Sequence, residues 1–283
     1  MPHPRPRYLA VFAMFVRNSA VREMSFRSNF IIQCASSACW MTMLLFFYLM
    51  LFQYTQRIVS QDAGGGDWGK YEFLIFLATT MLVNGLMQAL VMPNADQFSE
   101  LIRTGNLDFV LLKPIDTQFL VSLCRVDYSA LTHLAFGLTL LIYSLRHVDF
   151  TPAPVQFVLF PVYLLCGVGI LYSVVITLAA SSVWMGRNQS LYDFWFYITT
   201  FSRYPIEIYS SRTLPMGDAL QWTLTYVLPI LIAVNVPARL LAWPLSENQW
   251  HLAIYAIAAT AASLLVARLV FKRALASYRS ASS

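Results

Sequence analysis

The amino-acid sequence predicts an all-α polytopic membrane protein with six transmembrane helices. Of its 283 residues, 58% are hydrophobic and only 12% are charged, about half the charged share of an ordinary soluble domain. Long apolar runs alternate with short segments that contain charges, glycines or prolines. Because a crossing takes roughly 20 residues, the chain has room for several spans and little else. We therefore expect a single transmembrane domain over residues 1–283.

The charge and cysteine patterns argue against several other classes of protein. The net charge is +5, but the Lys and Arg residues cluster near the two termini, where they orient a membrane protein, and we expect no nucleic acid partner. The four cysteines lie in apolar runs without metal-ligand spacing. No zinc signature, nucleophile elbow or clustered set of His and carboxylate residues occurs. We expect no catalytic residue, metal site or cofactor in this chain.

Residues 1–28 are predicted to form a tail followed by an interfacial helix. Over residues 8–24, aromatic side chains that include Tyr8 and Phe12 share one helical face, and arginines such as Arg22 crowd the second half. This pattern suits a helix that lies along the membrane surface, with its aromatic face in lipid and its arginines at anionic head groups. An early extension of the first span is the alternative interpretation.

Six apolar runs are predicted to be the transmembrane spans. They are residues 29–53, 71–92, 119–145, 157–184, 191–201 and 250–271. The second is expected to end at Pro93, since proline interrupts helical hydrogen bonding. With six spans, thirteen of the 19 Lys and Arg residues fall on the side of the two termini and six on the other. The positive-inside rule then places both termini in the cytoplasm.

The most polar internal segment, residues 94–118, is predicted to face the cytoplasm. Its charges do not belong in hydrocarbon, so the segment lies in water or against a soluble partner. Ser99 is expected to open a short amphipathic helix that ends at Gly105, and Pro114 stops the apolar run that follows. A short helix at this position is a natural docking element.

Two charged residues, Arg125 and Asp127, fall in the first turns of the predicted third span. Arg125 can reach the membrane interface by extending its side chain. An ionisable residue inside a span indicates function by default, but a structural ion pair that positions the base of this helix is at least as good an interpretation.

Residues 203–248 are predicted to form an extracellular re-entrant region. The segment begins with Arg203, Tyr204 and Pro205, and its apolar stretch is cut by Pro229 and Pro237. Broken apolar segments of this kind are typical of re-entrant or interfacial helices and not of a full crossing.

The sequence resembles the permease subunits of type-2 ABC transporters, and in particular a small six-span bacterial group whose transport systems are uncharacterised. The most specific match is residues 100–114, Glu-Leu-Ile-Arg-Thr-Gly-Asn-Leu-Asp-Phe-Val-Leu-Leu-Lys-Pro, which is similar to the cytoplasmic signature of the family. Asn106 departs from it, because the family often has an acidic residue there. Further similar motifs lie at residues 26–30, 125–127, 201–209, 226–229, 237–239 and 278–280.

The resemblance implies an elbow helix at residues 8–24, a coupling helix within residues 94–107 and a re-entrant pair between residues 205 and 245. It implies contact with an ATPase through the coupling segment, whose candidate residues are Glu100, Leu101, Arg103, Gly105, Leu107 and Asp108. It also implies two copies of an ABC ATPase subunit that hold ATP and magnesium, a second permease that is identical or different, and a lipid bilayer, the bacterial cytoplasmic (inner) membrane. The complex would move an amphiphilic or lipid-like substrate outward.

Two other functions compete with this exporter. A secondary transporter would need ionisable residues at mid-membrane and repeat-related halves, and the sequence shows neither clearly. A membrane assembly subunit that transports nothing is the other alternative. The coupling signature favours the ABC permease.

Overall fold

A computed structural model describes residues 7–58, 68–185, 190–209, 216–244 and 250–278. Within these ranges the chain is all-α as predicted, and the one β contact is an isolated bridge between Ile58 and Trp68. The helices are α1 (Tyr8–Ser25), α2 (Arg27–Tyr54), α3 (Lys70–Leu86), α4 (Met92–Thr104), α5 (Leu107–Leu111), α6 (Thr117–Leu123), α7 (Leu131–Leu145), α8 (Pro154–Met185), α9 (Ser190–Ser202), α10 (Gly217–Trp222), α11 (Ile230–Ala242) and α12 (Trp250–Ser277). Short π-helical turns cover Met87–Val91 and Thr223–Val227, and a 3₁₀ turn covers Ile206–Tyr209.

Four of the described helices are long and apolar enough to cross a membrane, or five if one bent pair counts as a span. The chain is therefore a polytopic membrane protein. Helix α7 has 15 residues and α9 has 13. At 1.5 Å per residue these helices are only about 20 Å long, against a hydrocarbon core of about 30 Å. The count of six spans remains a prediction.

The second span does not end at Pro93, so that prediction is wrong. Helix continues for 35 residues from Lys70 to Thr104, through the π turn and through Pro93. In the π turn the Met92 amide donates to the Met87 carbonyl, and Pro93 lies in the first turn of α4. A proline is tolerated where the regular ladder is already interrupted. No separate helix opens at Ser99.

The helix ends at Gly105 as predicted, and it is long enough to place this end outside the hydrocarbon core. Gly105 has φ 73°, the left-handed conformation that glycine adopts without strain. A helix of this length spans roughly 50 Å, so α4 extends well beyond a hydrocarbon core of about 30 Å. We call the end of the bundle that carries α4, α5 and α6 the polar end, and the opposite end the far end.

The predicted third span is not one continuous helix, which corrects the expectation for residues 119–145. Helix α6 ends at Leu123 and α7 begins at Leu131, so residues 124–130 form a break. Most of its residues are polar, and its backbone amides bond to groups on α1 and α4. Those tertiary bonds replace the helical ones, which is the condition for irregular backbone near a membrane.

The predicted re-entrant region contains a sharply bent pair of apolar helical segments. Gly217–Val227 and Ile230–Ala242 meet at 85°, and Pro229 lies at the bend. The ends of the region meet at the far end, where Glu207 pairs with Arg239. A bend of this kind fits either a broken span or a re-entrant pair, so the re-entrant assignment remains a prediction.

Pro237 does not break this region, contrary to prediction, but lies inside α11. A proline has no amide hydrogen to give to the carbonyl four residues earlier, here that of Ala233. This carbonyl instead lies against Gly167 of α8, where a Cβ atom would be only 2.0 Å from the Ala233 oxygen. Glycine is required at residue 167 because the two backbones approach so closely.

Helices α3 and α11 form the centre of the bundle, and α2 and α12 lie at its surface. The most apolar window of Lys70–Thr104 is 78% buried, but those of Arg27–Tyr54 and His251–Ser277 are only 11% and 22% buried. The apolar faces of α2 and α12 are therefore available to lipid or to another membrane chain.

We expect Gly167→Ala to lower the free energy of unfolding by about 3 kcal/mol, because the added methyl group would collide with a backbone oxygen. Gly169→Ala is the matched control: its Cβ would meet a side-chain carbon of Thr260 at 3.1 Å, which can shift. Thermal unfolding of both purified variants in one detergent tests this. Equal stability of the two variants would contradict the close approach of α8 and α11.

Candidate partner-docking surface

The polar end carries an exposed tip, which we define as residues 99–113. The last turns of α4, the left-handed turn at Gly105 and the short α5 form it. Phe109 is 69% exposed and Leu112 is 81% exposed. Large apolar side chains at the end of a helix that extends beyond the hydrocarbon core indicate a surface that another protein covers.

A charged pair lies beside these apolar side chains. Arg103 donates from Nε to one carboxylate oxygen of Glu100 at 2.8 Å and from Nη2 to the other at 2.5 Å. The hydrogen bond from Arg103 lowers the pKa of Glu100, so its carboxylate stays ionised at neutral pH. Both side chains are more than half exposed, so the pair adds little stability and is free to meet a partner.

The six predicted coupling residues divide into two groups. Glu100 and Arg103 are exposed, whereas Leu107 is completely buried in the core. Gly105 ends the helix, and Leu101 and Asp108 are half-buried. Only the first two are placed to contact a partner through their whole side chains, and the others shape the tip.

Sequence reasoning missed the exposed apolar residues Phe109 and Leu112. Helical geometry could have predicted this exposure for Phe109: once Leu107 is buried, a residue two positions later faces nearly the opposite way. Phe109 follows Leu107 by two residues in α5, so the burial of Leu107 exposes it. The sequence does not say which leucine of the run is buried.

Behind the tip, Asp116 connects α6 to the last helix. Its carboxylate accepts from the Phe119 amide at 3.0 Å and so caps α6. It also pairs with Arg268 of α12, whose Nη1 lies 3.0 Å from Oδ1 and 2.7 Å from the Gln118 side-chain oxygen. Gln118 in turn donates to the Tyr172 hydroxyl of α8 at 3.1 Å. The hydrogen bond from Arg268 lowers the pKa of Asp116, and the network joins the tip to two long helices.

Asn94 holds the break between α6 and α7 against α4. It is 1% exposed, and its amide nitrogen donates to the carbonyls of Leu90 at 2.6 Å and Arg125 at 2.7 Å. Its oxygen accepts from the Arg125 amide at 2.9 Å and the Cys124 thiol at 3.1 Å. One buried carboxamide thus satisfies both backbone groups of Arg125.

A carbonyl that Pro93 leaves unpaired supplies the next contact. In a regular helix the Ala89 carbonyl would accept from residue 93, which is a proline and has no amide hydrogen. It accepts instead from the Asp127 amide at 2.9 Å. Pro93 and Asn94 together therefore provide the hydrogen bonds that hold the break against this helix.

Helix α1 closes over the other side of the break. The Val126 amide donates to the Ser19 hydroxyl at 3.0 Å, and the Tyr128 amide donates to a carboxylate oxygen of Glu23 at 3.0 Å. The Tyr128 hydroxyl donates to the Val16 carbonyl at 2.9 Å. The break is bonded to both α1 and α4, so these three elements meet in one polar junction.

The predicted ion pair between Arg125 and Asp127 is not formed in the described part of the structure. Asp127 accepts from the Ser129 amide at 2.8 Å and hydroxyl at 2.6 Å, and the Arg125 side chain is exposed. The two residues hold the base of α7 through their backbone groups, because the chain is not helical there. Together with Arg22 and Glu23 they line a cavity of about 260 Å³.

At the far end, the predicted residues Arg203, Tyr204 and Pro205 lead into a buried network that sequence reasoning missed. Pro205 is buried, Tyr204 is exposed and Arg203 is half-buried. Glu207, 4% exposed, pairs with Arg239 and accepts from the Trp68 indole nitrogen at 3.0 Å. A buried carboxylate needs such partners. The signal available was an acidic residue, Glu207, within a largely apolar region that also holds Arg239.

Nearby, Asn235 of α11 secures the start of the 3₁₀ turn. Its oxygen accepts from the Ile206 amide at 3.0 Å, and its nitrogen donates to the Leu231 carbonyl at 2.8 Å. Among the described residues, no group of three or more His, Cys, Asp or Glu side chains is arranged to hold a metal ion.

These features define a class: an α-helical membrane protein whose central helix extends into an exposed tip of mixed charge and apolarity. A family model described as ABC-2 family transporter protein matches residues 38–282. The chain therefore belongs to the ABC-2 family and is a type-2 ABC transporter permease, which confirms the resemblance drawn from its motifs. No curated protein and no solved structure matches it significantly.

We expect Asn94→Leu to lower the free energy of unfolding by about 3 kcal/mol, because it leaves buried backbone groups of the break unpaired. Asn106→Leu, at an exposed position of the tip, is the control and should change stability by less than about 0.5 kcal/mol. Denaturation of the two purified variants checks this. Equal effects at the two sites would show that the junction does not depend on the carboxamide.

A second prediction concerns pH. Burial raises the pKa of Glu23 above its ordinary value of 4.5, the Tyr128 amide opposes this, and the charge of Asp127 adds to it. Because the folded protein binds this proton more tightly than the unfolded chain does, ionised Glu23 destabilises the fold at neutral pH. Stability from this group rises as the pH falls through the raised pKa.

Glu23→Gln keeps an oxygen for the Tyr128 amide and removes the charge. We expect a higher melting temperature at pH 7 than for the unaltered chain, with a difference that shrinks as the pH falls toward 4.5. The control is Asp149→Asn on the exposed surface, which should change neither value. A lower melting temperature of the Gln variant at pH 7 would refute the assignment.

Proposed function

We propose that this permease is the membrane subunit of an ATP-driven exporter and couples to a separate ATPase subunit through its tip. The observation that carries the proposal is one continuous helix, Lys70–Thr104, which is buried in the bundle over most of its apolar window and ends in the exposed tip. A partner that moves the tip therefore acts directly on the most central helix of the bundle.

Three connections would transmit a movement of α4 to the break before α7, to α1 and to α12. Asn94 links α4 to the break before α7, and through the break to α1. Asp116, three residues beyond the tip, links this part of the chain to α12 through Arg268. Rigid elements joined in this way shift as bodies between discrete states, which is the kind of change that alternating access requires.

The tip has the chemistry of a protein-binding element. Protein interfaces concentrate their energy in a few apolar anchors surrounded by polar groups. Phe109 and Leu112 are the anchors here, and Glu100 and Arg103 form the charged border. ATP and magnesium would bind to the partner, in two copies of the ATPase.

The rest of the assembly follows from the same proposal. The chain forms half of the pathway with a second permease, identical or different, and the poorly buried face of α2 offers a surface for it. The tip and both termini lie in the cytoplasm of a bacterium, the protein lies in its inner membrane, and an amphiphilic or lipid-like substrate moves outward.

The first experiment is affinity purification of the chain in mild detergent, with mass identification of what remains bound. An ABC ATPase subunit among the bound proteins supports the proposal, and a second six-span protein would identify a heterodimeric pathway. A chain that stays alone, and transports in vesicles with an ion gradient but without ATP, would overturn it in favour of a secondary transporter.

Exchanging the charges of the tip tests the docking site. The double variant Glu100→Arg with Arg103→Glu keeps an ion pair on the helix but reverses the charges offered to a partner. We expect recovery of the ATPase to fall at least about tenfold, which corresponds to about 1.4 kcal/mol at the interface. ATP-driven transport should fall with it.

Lys272→Glu is the matched control, because this residue is exposed and follows the apolar part of α12. It should leave recovery of the ATPase unchanged. Unaltered recovery and transport with the exchanged pair would show that Glu100 and Arg103 do not contact the ATPase.

A further inference from the structure

A partly polar cavity of about 210 Å³ lies within the membrane-spanning part of the bundle, between α2, α3, α7 and α9. We call it the four-helix cavity. Its apolar walls include Trp40 of α2 and Trp195 of α9. Its polar lining includes Asn84 of α3, His133 of α7 and Arg203 at the end of α9. Polar groups at this depth are unfavourable unless they have partners, and they are usually functional.

Two polar atoms in this lining have no hydrogen-bond partner. They are Oδ1 of Asn84 and Nδ1 of His133, and both are inaccessible to bulk solvent. Helices α3 and α7 are in close contact here, since a Cβ at Gly85 would lie 3.0 Å from the Cβ of His133. A buried polar atom without a partner destabilises the fold by about 1–3 kcal/mol. Both residues line the adjoining cavity, so a small rotation of either side chain would turn its unpaired atom toward a ligand there.

The charge of the lining selects the ligand. Arg203 brings a guanidinium group to a lining that also contains Tyr48, and among the described residues no carboxylate lines the cavity. In the described part of the chain, Arg203 takes part in no ion pair. A cationic ligand would be repelled here, and an anionic one would gain a charge-assisted hydrogen bond.

The polar groups lie at two levels along the cavity. The lining runs along α3 from Leu77 to Gln88, which is roughly 16 Å at 1.5 Å per residue. Tyr48 packs near the beginning of α3, where its ring centre lies 4.8 Å from that of Phe73, and Arg203 lies near it. Asn84 follows Phe73 along α3 by about three turns. Apolar side chains such as Leu44 and Met81 complete the lining.

We propose that the four-helix cavity binds an amphiphilic organic anion. A carboxylate or phosphate of the ligand pairs with Arg203, a second polar group bonds to Asn84 and His133, and an apolar body contacts Trp40 and Trp195. Under the proposed export function this anion is the transported substrate, so the inference deepens that proposal and rests on it for the word transport. Binding itself needs neither ATP nor a partner.

The test is equilibrium binding of radiolabelled 1-palmitoyl-lysophosphatidic acid, which carries a phosphate and further polar groups beside one acyl chain, to the purified full chain in detergent. Monopalmitoylglycerol, which has the same acyl chain without the phosphate, is the competitor. We expect saturable binding of the anion, with the uncharged lipid competing about tenfold less well. Equal competition by the uncharged lipid, or no saturable binding of the anion, would overturn the proposal.

Substitutions of Arg203 test whether the anion binds in the four-helix cavity. Arg203→Gln should weaken binding at least about tenfold, whereas Arg203→Lys, which keeps the charge, should weaken it about threefold or less. Arg146→Gln is the matched control, because Arg146 is exposed and outside the cavity lining, and should bind as the unaltered chain does. Melting temperature and elution as a single species verify that each variant is folded. A folded Arg203→Gln variant with unaltered affinity would refute the site.

Asn84→Leu tests the second polar contact. It removes an unpaired polar atom, so we expect a stability equal to or above that of the unaltered chain together with about threefold to tenfold weaker binding. Unchanged affinity in this variant would remove Asn84 from the site and refute the proposal as stated. Purification of the ATPase is measured separately: anion binding without an ATPase would refute the export function alone, and an ATPase without anion binding would refute the cavity alone.

Discussion

Within a membrane every backbone hydrogen-bonding group needs a partner inside the protein, and two prolines show how this chain meets that constraint. Pro93 and Pro237 each lie within a helix and cannot donate to the carbonyl four residues earlier. The Ala89 carbonyl then accepts from the Asp127 amide, and the Ala233 carbonyl lies against Gly167. Each proline turns a helical carbonyl into a tertiary contact.

The polar junction follows from the first of these contacts. The break before α7 is bonded to Asn94 and Ala89 on one side and to α1 on the other, so tertiary hydrogen bonds hold it in place of helical ones. The same helix that seats the break continues into the tip. In this permease one continuous helix therefore joins an exposed surface to the buried centre of the bundle.

The polar groups of the two ends and of the interior contrast with each other. At the far end, Glu207, Arg239 and Trp68 bond to one another, and at the polar end Asp116 and Arg268 do the same. In the four-helix cavity, Asn84 and His133 each keep one unpaired atom. Arg239 Nε at the far end is unpaired as well, so the difference is one of degree: pairing dominates at the two ends, and the cavity leaves its polar groups beside open space that a ligand can fill.

The sequence by itself determined the helical class, the membrane setting, the family and the end of α4 at Gly105, because composition, apolar length and local conformational preference are properties of short stretches of chain. Tertiary structure decided which residues of the coupling signature are exposed, that Pro93 and Pro237 lie within helices, and that the third span is interrupted. The interruption depends on Asn94, 31 residues before Arg125 in the chain. A hydrogen bond between such distant residues leaves no periodic signal, so only packing reveals it.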